Sequence, residues 1–384
     1  MSFEKLFMPL DWALMISFFC IFSIQLCFYL TLYRRFIVIR KRAKKGVLNY
    51  TDEQQPVSVI VYACNDAENL ELYLPQILNQ NYPKYEVIVV NDGSTDDTKD
   101  LLTILETKYP HLYQTYIPEE AKNHSRRKLA MTVGLKAAKY DWILTTEANC
   151  EVKSADWIAS VARNFTSETE VVLMYSTFEY PRSLQAAFRS LDNLFFSIRY
   201  LGMASFGKPF MGIRRNLAYR KELFFRNGGG YSGFLNLRDG DDDLFINRIA
   251  NKNNTRVEIS SESVTRAHFY QFDKAWRNQK QAYGITSNFL KGRPSFLFGF
   301  ESLTRYIFYA NFILLLYFGL DNYILWLVAA FLYLSRWILQ AVIINSSGKI
   351  VGEKSHLFSL IIYDIVQPII DLKYRLAGRF AKRR

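Results

Sequence analysis

The sequence predicts an α/β domain with a mostly parallel central sheet and helices on both faces, flanked at both ends by transmembrane helices. Short β-branched runs alternate with segments whose apolar residues recur at helical spacing, which indicates parallel strands joined by right-handed crossovers. An uncharged run of 22 residues, Trp12–Tyr33, precedes this domain, and a second apolar block follows it. The 384 residues are enough for a full catalytic domain with these helices.

Positive charge is concentrated beside the apolar segments. Residues 34–45 contain seven Lys and Arg and residues 373–384 contain six, with no acid in either cluster. The rest of the +12 chain therefore sums to −1, and no nucleic-acid partner is expected because no basic face remains on the domain. Because the charge follows Trp12–Tyr33, it indicates a stop-transfer anchor with a cytoplasmic basic side, whereas in a cleaved signal peptide the charge comes first.

The C-terminal apolar block predicts two membrane crossings. Tyr306–Leu320 and Tyr323–Ile344 are separated only by Asp321 and Asn322. Since the first run is short, one crossing with a buried or re-entrant helix is the alternative. Arg305 and Arg336 are expected toward the cytoplasmic side, where long side chains snorkel. His356–Leu376 is apolar but interrupted by polar residues, so it is expected to lie in the membrane interface.

Five strands are predicted in the domain between these helices. They are Pro56–Cys64, Glu86–Val90, Leu112–Pro118, the run that begins at Trp142, and Glu170–Tyr180. Polar clusters follow three of them, at residues 64–66, 91–94 and 147–149, and ligands of open α/β sheets bind at such strand ends. No G-x-G-x-x-G or G-x-x-x-x-G-K-[ST] motif is present, which argues against a dinucleotide site or a P-loop.

The first two strands carry a family signature. The stretch VSVIVYACNDAENLELYLPQILNQNYPKYEVIVVNDGSTDDT (residues 57–98) closely resembles the opening of family 2 glycosyltransferases, which have the GT-A fold. The resemblance extends to about residue 290 and implies a nucleotide-sugar donor held across the strand ends. Asp92 matches the acid that contacts the base and ribose. Tyr62, Ala63 and Asn65 match the loop facing the nucleotide, with ordinary turn chemistry as the alternative.

Two further motifs imply contacts to the donor diphosphate. SRRKLAMTVGLKAAKYDWIL (residues 125–144) resembles the family's lysine helix, which implies that Lys128 lies near the nucleotide. Arg126 and Arg127 either add charge there or form a solvated basic face. Glu147-Ala148-Asn149 occupies the frame of the family's Asp-Ala-Asp, where Mg or Mn stabilises the leaving diphosphate. Asn149 carries no charge, so weakened metal binding is expected.

The second half of the domain supplies the implied base and acceptor pocket. GDDDLFINRI (residues 240–249) resembles the family's acidic motif, which implies Asp242 as catalytic base with Asp241 beside it. Favourable interaction with a helix dipole is the alternative explanation for these acids. Residues 212–220, including Asn216, match the acceptor region. Gln279 matches the first residue of the Gln-x-x-Arg-Trp motif of processive synthases, but Ala282 and Tyr283 replace its Arg and Trp.

The resemblance therefore implies a membrane-bound, inverting glycosyltransferase acting at the cytoplasmic face on a lipid-linked or polysaccharide acceptor. The alternatives are a processive polysaccharide synthase and a nucleotide-sugar-binding partner of another transferase. The expected organisation is an anchor with a basic segment (1–45), a catalytic domain (46–300) divided near residue 150 into nucleotide and acceptor halves, two transmembrane helices (301–350), and an interfacial helix with a basic tail (351–384).

Overall fold

A computed structural model describes residues 9–119, 125–292, 294–318 and 322–381 of the chain. The end of the first apolar run (residues 319–320), Asp321 of the predicted turn and the last three basic residues, 382–384, lie outside this range. The strands are β1 (Val57–Ala63), β2 (Tyr85–Asp92), β3 (Leu112–Ile117), β4 (Trp142–Glu147), β5 (Cys150–Val152), β6 (Val171–Met174), β7 (Ser176–Phe178), β8 (Leu217–Arg220), β9 (Thr255–Glu258) and β10 (Thr265–Ala267).

The helices surround these strands and extend beyond them at both ends of the chain. They are α1 (Pro9–Phe28), α2 (Arg35–Lys44), α3 (Ala67–Leu78), α4 (Thr98–Lys108), α5 (Arg126–Ala137), α6 (Trp157–Ala162), α7 (Leu184–Ser205), α8 (Lys221–Arg226), α9 (Asp243–Ile249), α10 (Phe272–Thr286), α11 (Pro294–Phe318), α12 (Tyr323–Ile350) and α13 (Phe358–Ala381). A π-helical turn, Tyr29–Tyr33, lies between α1 and α2.

The central seven-stranded sheet has the order β3-β2-β1-β4-β8-β6-β9. The first four strands are parallel, whereas β8 runs antiparallel to both β4 and β6. Both faces of β1 and β4 are covered, so residues on both sides of each strand are buried and their apolar residues do not alternate with exposed polar ones. The parallel, two-sided sheet that the sequence predicts is therefore present, and the carboxyl ends of β1, β2 and β4 lie side by side.

The predicted strand Glu170–Tyr180 is not one strand, and that prediction is wrong. It divides into β6, which joins the central sheet, and β7, which joins a second sheet with the order β5-β10-β7. The two strands meet at Tyr175, whose ring is buried and packs edge-on against Phe36 of α2. A continuous run of apolar residues does not show where a strand changes sheet, because both halves are buried.

The apolar segments form long helices that pack on one another. Two helical stretches are long and apolar enough to cross a membrane, the continuous Pro9–Lys44 and α12, among the residues that the structure describes. Helix α11 does not meet that criterion, but it packs along α1, with the rings of Phe18 and Phe308 4.6 Å apart. The third crossing and the orientation of the helices stay predictions.

Arg305 and Arg336 do not snorkel, contrary to the prediction. Both side chains are buried, and each forms an ion pair with Asp364 of α13. Helix α13 also packs closely along α10, so it connects the apolar helices to the α/β domain. The acids that interrupt its apolar pattern are the partners of buried cations.

Candidate active site

An open cleft of about 330 Å³ lies at the carboxyl ends of β1 and β4, and we call it the strand-end cleft. Its walls include Tyr62 from β1, Glu147 and Asn149 from the end of β4, and Arg127 from α5. The sequence predicts ligand-binding side chains at these strand ends, and the parallel order of β1 and β4 brings them together.

The end of β1 is tied to the end of β2. Tyr62 Oη donates to Asp92 Oδ2 at 2.7 Å, and Arg126 Nε donates to Asp92 Oδ1 at 2.7 Å. Asn65 has a left-handed backbone (φ +53°), and its Oδ1 accepts a hydrogen bond from the Thr95 backbone nitrogen at 2.8 Å. Asn65 therefore joins the two loops as a turn residue, while Ala63 is fully buried.

Glu147 lies between two arginines. Its Oε1 accepts from Arg214 Nε at 2.7 Å and is 3.5 Å from an Arg127 nitrogen. Burial acts to raise the pKa of Glu147, but Arg214 and Arg127 outweigh burial and lower it to about 2. Asn149 donates from Nδ2 to the His268 carbonyl at 2.8 Å, which fixes the plane of its amide. The Glu147 carboxylate is therefore charged at ordinary pH values and paired with arginine.

Lys128 is directed into a glycine-rich loop rather than toward the strand-end cleft. Its Nζ donates to the carbonyls of Phe234 at 2.8 Å and Leu237 at 2.5 Å, and burial lowers its pKa. Five glycines of this loop have positive φ: Gly228, Gly229, Gly230, Gly233 and Gly240. Lys128 therefore fastens the loop that leads into Asp241, and a direct contact of Lys128 with a nucleotide stays a prediction.

Three adjacent carboxylates, Asp241, Asp242 and Asp243, form a buried acidic cluster at the start of α9. Asp242 accepts from the Asp243 backbone nitrogen at 2.8 Å and from the Arg214 backbone nitrogen at 3.2 Å. Burial raises the pKa of Asp242, and Arg214 offsets part of this effect. Burial and the neighbouring Asp242 raise the pKa of Asp243 well above its ordinary value. The raised pKa of Asp242 suits a group that accepts a proton.

Arg214 links the acidic cluster to the strand-end cleft. Besides its bond to Glu147, its guanidinium lies 3.4 Å from both Asp241 oxygens and 3.6 Å from Asp242 Oδ2. Sequence reasoning missed this residue. Its only sequence signal is a charged pair, Arg214-Arg215, directly before the buried strand β8, where charge needs a partner.

Helix α10 supplies the other side of the acidic cluster. Tyr283 Oη donates to Asp242 Oδ2 at 3.3 Å, and its ring stacks on Phe196 with centroids 5.2 Å apart. One turn earlier, Gln279 Oε1 accepts from Arg215 at 3.1 Å. Both predicted interfacial residues therefore contact residues of the site.

A second cavity, of about 110 Å³, lies between α7, α10, α11 and α13, and we call it the helix cavity. Asp243 and Tyr283 line its inner end, and Phe298 and Tyr374 lie on the side of the apolar helices. Asn216, predicted in the acceptor pocket, lines neither space. It is fully buried, donates to the carbonyls of Tyr175 at 2.7 Å and Ser263 at 2.6 Å, and accepts from Trp157 at 3.2 Å.

Removing the charge of Glu147 should change how stability depends on pH. Because the pKa of Glu147 is 4.5 unfolded and about 2 folded, its charge stabilises the fold above pH 4.5, and this contribution is lost as pH falls toward 2. Wild type should have a higher free energy of unfolding than Glu147→Gln at neutral pH. As pH falls through that window, the difference between the two should decrease by at most about 3 kcal/mol. Denaturant unfolding at pH 7, 4 and 3 measures it. Glu222→Gln, which removes a solvent-exposed partner of Arg226, should show no such change. A pH-independent difference for Glu147→Gln would contradict the ion-pair assignment.

Residues 58–226 match the model of glycosyl transferase family 2. Over 106 residues the chain is 27% identical to a poly-β-1,6-N-acetyl-D-glucosamine synthase of Staphylococcus aureus (strain COL), covering 28% of this chain and 24% of the synthase. A synthase of the same description from Staphylococcus epidermidis is 26% identical over 116 residues, 30% of this chain and 27% of that protein. The matched segments thus span about a quarter of these curated relatives.

The fold has a counterpart among solved structures. A mannosyltransferase from Pyrobaculum calidifontis, in complex with GDP-Man and Mn²⁺, superposes with a TM-score of 0.53 and 20% identity, covering 94% of this chain and 99% of that chain. At this identity the likeness concerns the fold alone, and it confirms the GT-A architecture that the sequence predicts.

Proposed function

We propose that this chain, whose residues 58–226 match the model of glycosyl transferase family 2, is a glycosyltransferase that moves a sugar from a nucleotide-sugar donor to a lipid-linked acceptor at the membrane face. One observation carries the proposal: Arg214 and the acidic cluster form a continuous set of contacts between residues that line two separate spaces. The strand-end cleft lies on the side of Glu147, and the helix cavity lies on the side of Tyr283 and Asp243.

The strand-end cleft suits the donor. Its floor joins the ends of β1 and β4, with the Tyr62–Asp92 pair for a nucleoside and Arg127 for a diphosphate. Arg127 Cζ lies 4.8 Å from the centre of the Tyr62 ring, so cation and ring form one wall. A glycosyl group placed beyond Glu147 would face Asp242 across Arg214.

The helix cavity suits an amphipathic acceptor. Its walls combine aromatic side chains of α7, α10 and α11 with charged ones such as Arg199, Lys280 and Arg375. It also lies between Asp243 of the acidic cluster and α11, which packs along the apolar helix α1. A lipid tail would extend along α11 and α13 while the acceptor hydroxyl reaches Asp242. Residues 34–45 would place this face on the cytoplasmic side.

The proposed chemistry inverts the anomeric carbon. Asp242 takes the proton of the acceptor hydroxyl, whose oxygen attacks the anomeric carbon from the face opposite the diphosphate. Mg or Mn is the cofactor that the sequence predicts, with Glu147 and Asn149 as ligands. In the structure Glu147 is already paired with two guanidinium groups, which compete with such a cation for its carboxylate.

Transfer by purified full-length protein tests the proposal. The protein in detergent is supplied with a panel of nucleotide sugars and a membrane lipid extract, and products are identified by mass spectrometry. One sugar added to a lipid is the expected result. Absence of transfer with every donor, equally in wild type and in Asp242→Asn, would favour a nucleotide-sugar-binding partner without activity.

Processive synthesis is the second candidate, because the curated relatives are polysaccharide synthases and Gln279 contacts the site through Arg215. In the Gln-x-x-Arg-Trp motif of processive synthases, Tyr283 stands in place of the tryptophan and Ala282 in place of the arginine. Product length separates the two functions, since a synthase releases a long polymer from the same assay.

Replacing Tyr283 with phenylalanine should lower kcat about fivefold, the effect of losing a hydrogen bond worth roughly 1 kcal/mol. Because its Oη stabilises the Asp242 carboxylate, its removal should also shift the acid limb of the kcat–pH profile to higher pH. Steady-state kinetics between pH 5 and 9 measure both effects. Tyr113→Phe, on the exposed surface of β3, is the control. An unchanged profile would place the base elsewhere.

A further inference from the structure

At the predicted Mg or Mn site, two arginine side chains already pair with the Glu147 carboxylate. Arg214 and Arg127 both contact the Glu147 carboxylate, and Arg214 continues to Asp241. Asn149 offers only a neutral oxygen, and its nitrogen is committed to the His268 carbonyl. No cluster of three His, Cys, Asp or Glu suitable for a metal ion occurs in the described parts of the chain. These residues do not fit Mg²⁺ or Mn²⁺, which prefer several charged oxygen ligands.

In the part of the chain that the structure describes, Arg127 has an unpaired donor at the strand-end cleft, and Arg214 contacts the Glu147 carboxylate that lines this cleft. Arg127 lines the cleft, and its Nε is buried without a hydrogen-bond partner among the described residues. A buried unpaired donor is costly unless a ligand pairs with it. The Arg214 side chain is 20% exposed beside Glu147, and its guanidinium is positioned by three carboxylates, those of Glu147, Asp241 and Asp242. Both guanidinium groups therefore contact the Glu147 carboxylate, which lines the strand-end cleft, and planar guanidinium groups suit phosphate oxygens.

We propose that Arg214 and Arg127 bind the donor diphosphate in place of a divalent cation. The inference rests on the proposed function and concerns its leaving group. As the acceptor oxygen bonds to the anomeric carbon, the bond from that carbon to the β-phosphate oxygen breaks, and its electron pair stays on the phosphate. The acceptor proton passes to Asp242, and the nucleoside diphosphate gains one negative charge. Guanidinium N–H groups aimed at that charge stabilise it as it develops.

Binding of inorganic pyrophosphate tests the arginine site without any turnover. Calorimetry with full-length protein in EDTA is expected to show binding, weakened at least tenfold in Arg214→Gln. Arg127→Gln, at a more exposed position, should weaken binding similarly and guards against a folding defect in the first variant. Arg220→Gln removes an arginine at the far end of β8, paired with Asp141, and should bind as wild type does. Binding by wild type only when Mn²⁺ is present would overturn the inference.

Turnover provides the second readout and separates this inference from the proposed function. Transfer in EDTA should stay within twofold of transfer in Mn²⁺, and Arg214→Lys should lower kcat more than it raises the donor KM. Transfer abolished by EDTA and restored by Mn²⁺ would overturn the arginine site while sustaining the proposed function. No transfer in either condition would overturn the proposed function. The pyrophosphate binding experiment would then be the test of whether Arg214 and Arg127 bind a diphosphate.

Discussion

Asp242→Asn is expected to lower kcat for sugar transfer about 10²–10⁴-fold, the usual contribution of a general base. An amide cannot accept the acceptor proton but keeps the size of the carboxylate, and its single oxygen can still accept from one of the two backbone nitrogens, those of Asp243 and Arg214, that Asp242 contacts. The donor KM should change little, because Glu147 and Arg127 line the strand-end cleft and Asp242 does not. Single-turnover measurement with a saturating donor isolates the chemical step.

The neighbouring acids supply matched controls for this experiment. Asp243→Asn should mainly reduce stability, since its carboxyl accepts from Thr286 and from the Leu244 backbone nitrogen. Asp239→Asn, in the glycine-rich loop three residues earlier, should leave kcat unchanged. If Asp241→Asn abolished transfer while Asp242→Asn retained it, the catalytic base would be Asp241, one residue before the position that the acidic motif implies.

The strand-end cleft could be predicted from the sequence because it depends on local patterns. Strands β1, β2 and β4 each contain a short apolar run that leads into a polar cluster. Parallel order then places Tyr62, Asp92 and Glu147 along one edge. The strand pattern gives the parallel sheet, and the resemblance to family 2 glycosyltransferases implies the GT-A fold. Neither gives the division of Glu170–Tyr180 between two sheets, because burial on both sides hides the point of division.

The contacts of Arg214 with Glu147 and the acidic cluster could not be predicted, because they depend on a non-local pairing of strands. Arg214 reaches Glu147 only because β8 runs antiparallel to β4, with Thr145 opposite Leu217. A single sequence does not reveal that strands 70 residues apart are neighbours. Lys128 illustrates the converse: its motif is visible in the sequence, but the direction of its side chain follows from the path of the glycine-rich loop.

Asp364→Asn is expected to lower the free energy of unfolding by about 3–5 kcal/mol, the cost of breaking a buried ion pair on one side. Asp364 Oδ2 lies 2.7 Å from Arg336 and its Oδ1 lies 3.4 Å from Arg305, and all three side chains are buried. Arg305 also has Glu301 at 2.6 Å, but Asp364 is the carboxylate that pairs with Arg336 in the described residues. The substitution therefore leaves one guanidinium charge uncompensated among the apolar helices.

Thermal unfolding of the detergent-solubilised protein measures this cost against two references. Asp141→Asn also removes one carboxylate from an arginine pair, but at the surface, where about 0.2–1 kcal/mol is at stake. The double variant Asp364→Asn with Arg336→Gln should recover part of the loss, because it removes the unpaired charge as well. If Asp364→Asn were no more destabilising than Asp141→Asn, water or lipid headgroups would have to reach Arg336. The arginine would then snorkel as its position in the sequence predicts, and the ion pairs would not be what fastens α12 to α13.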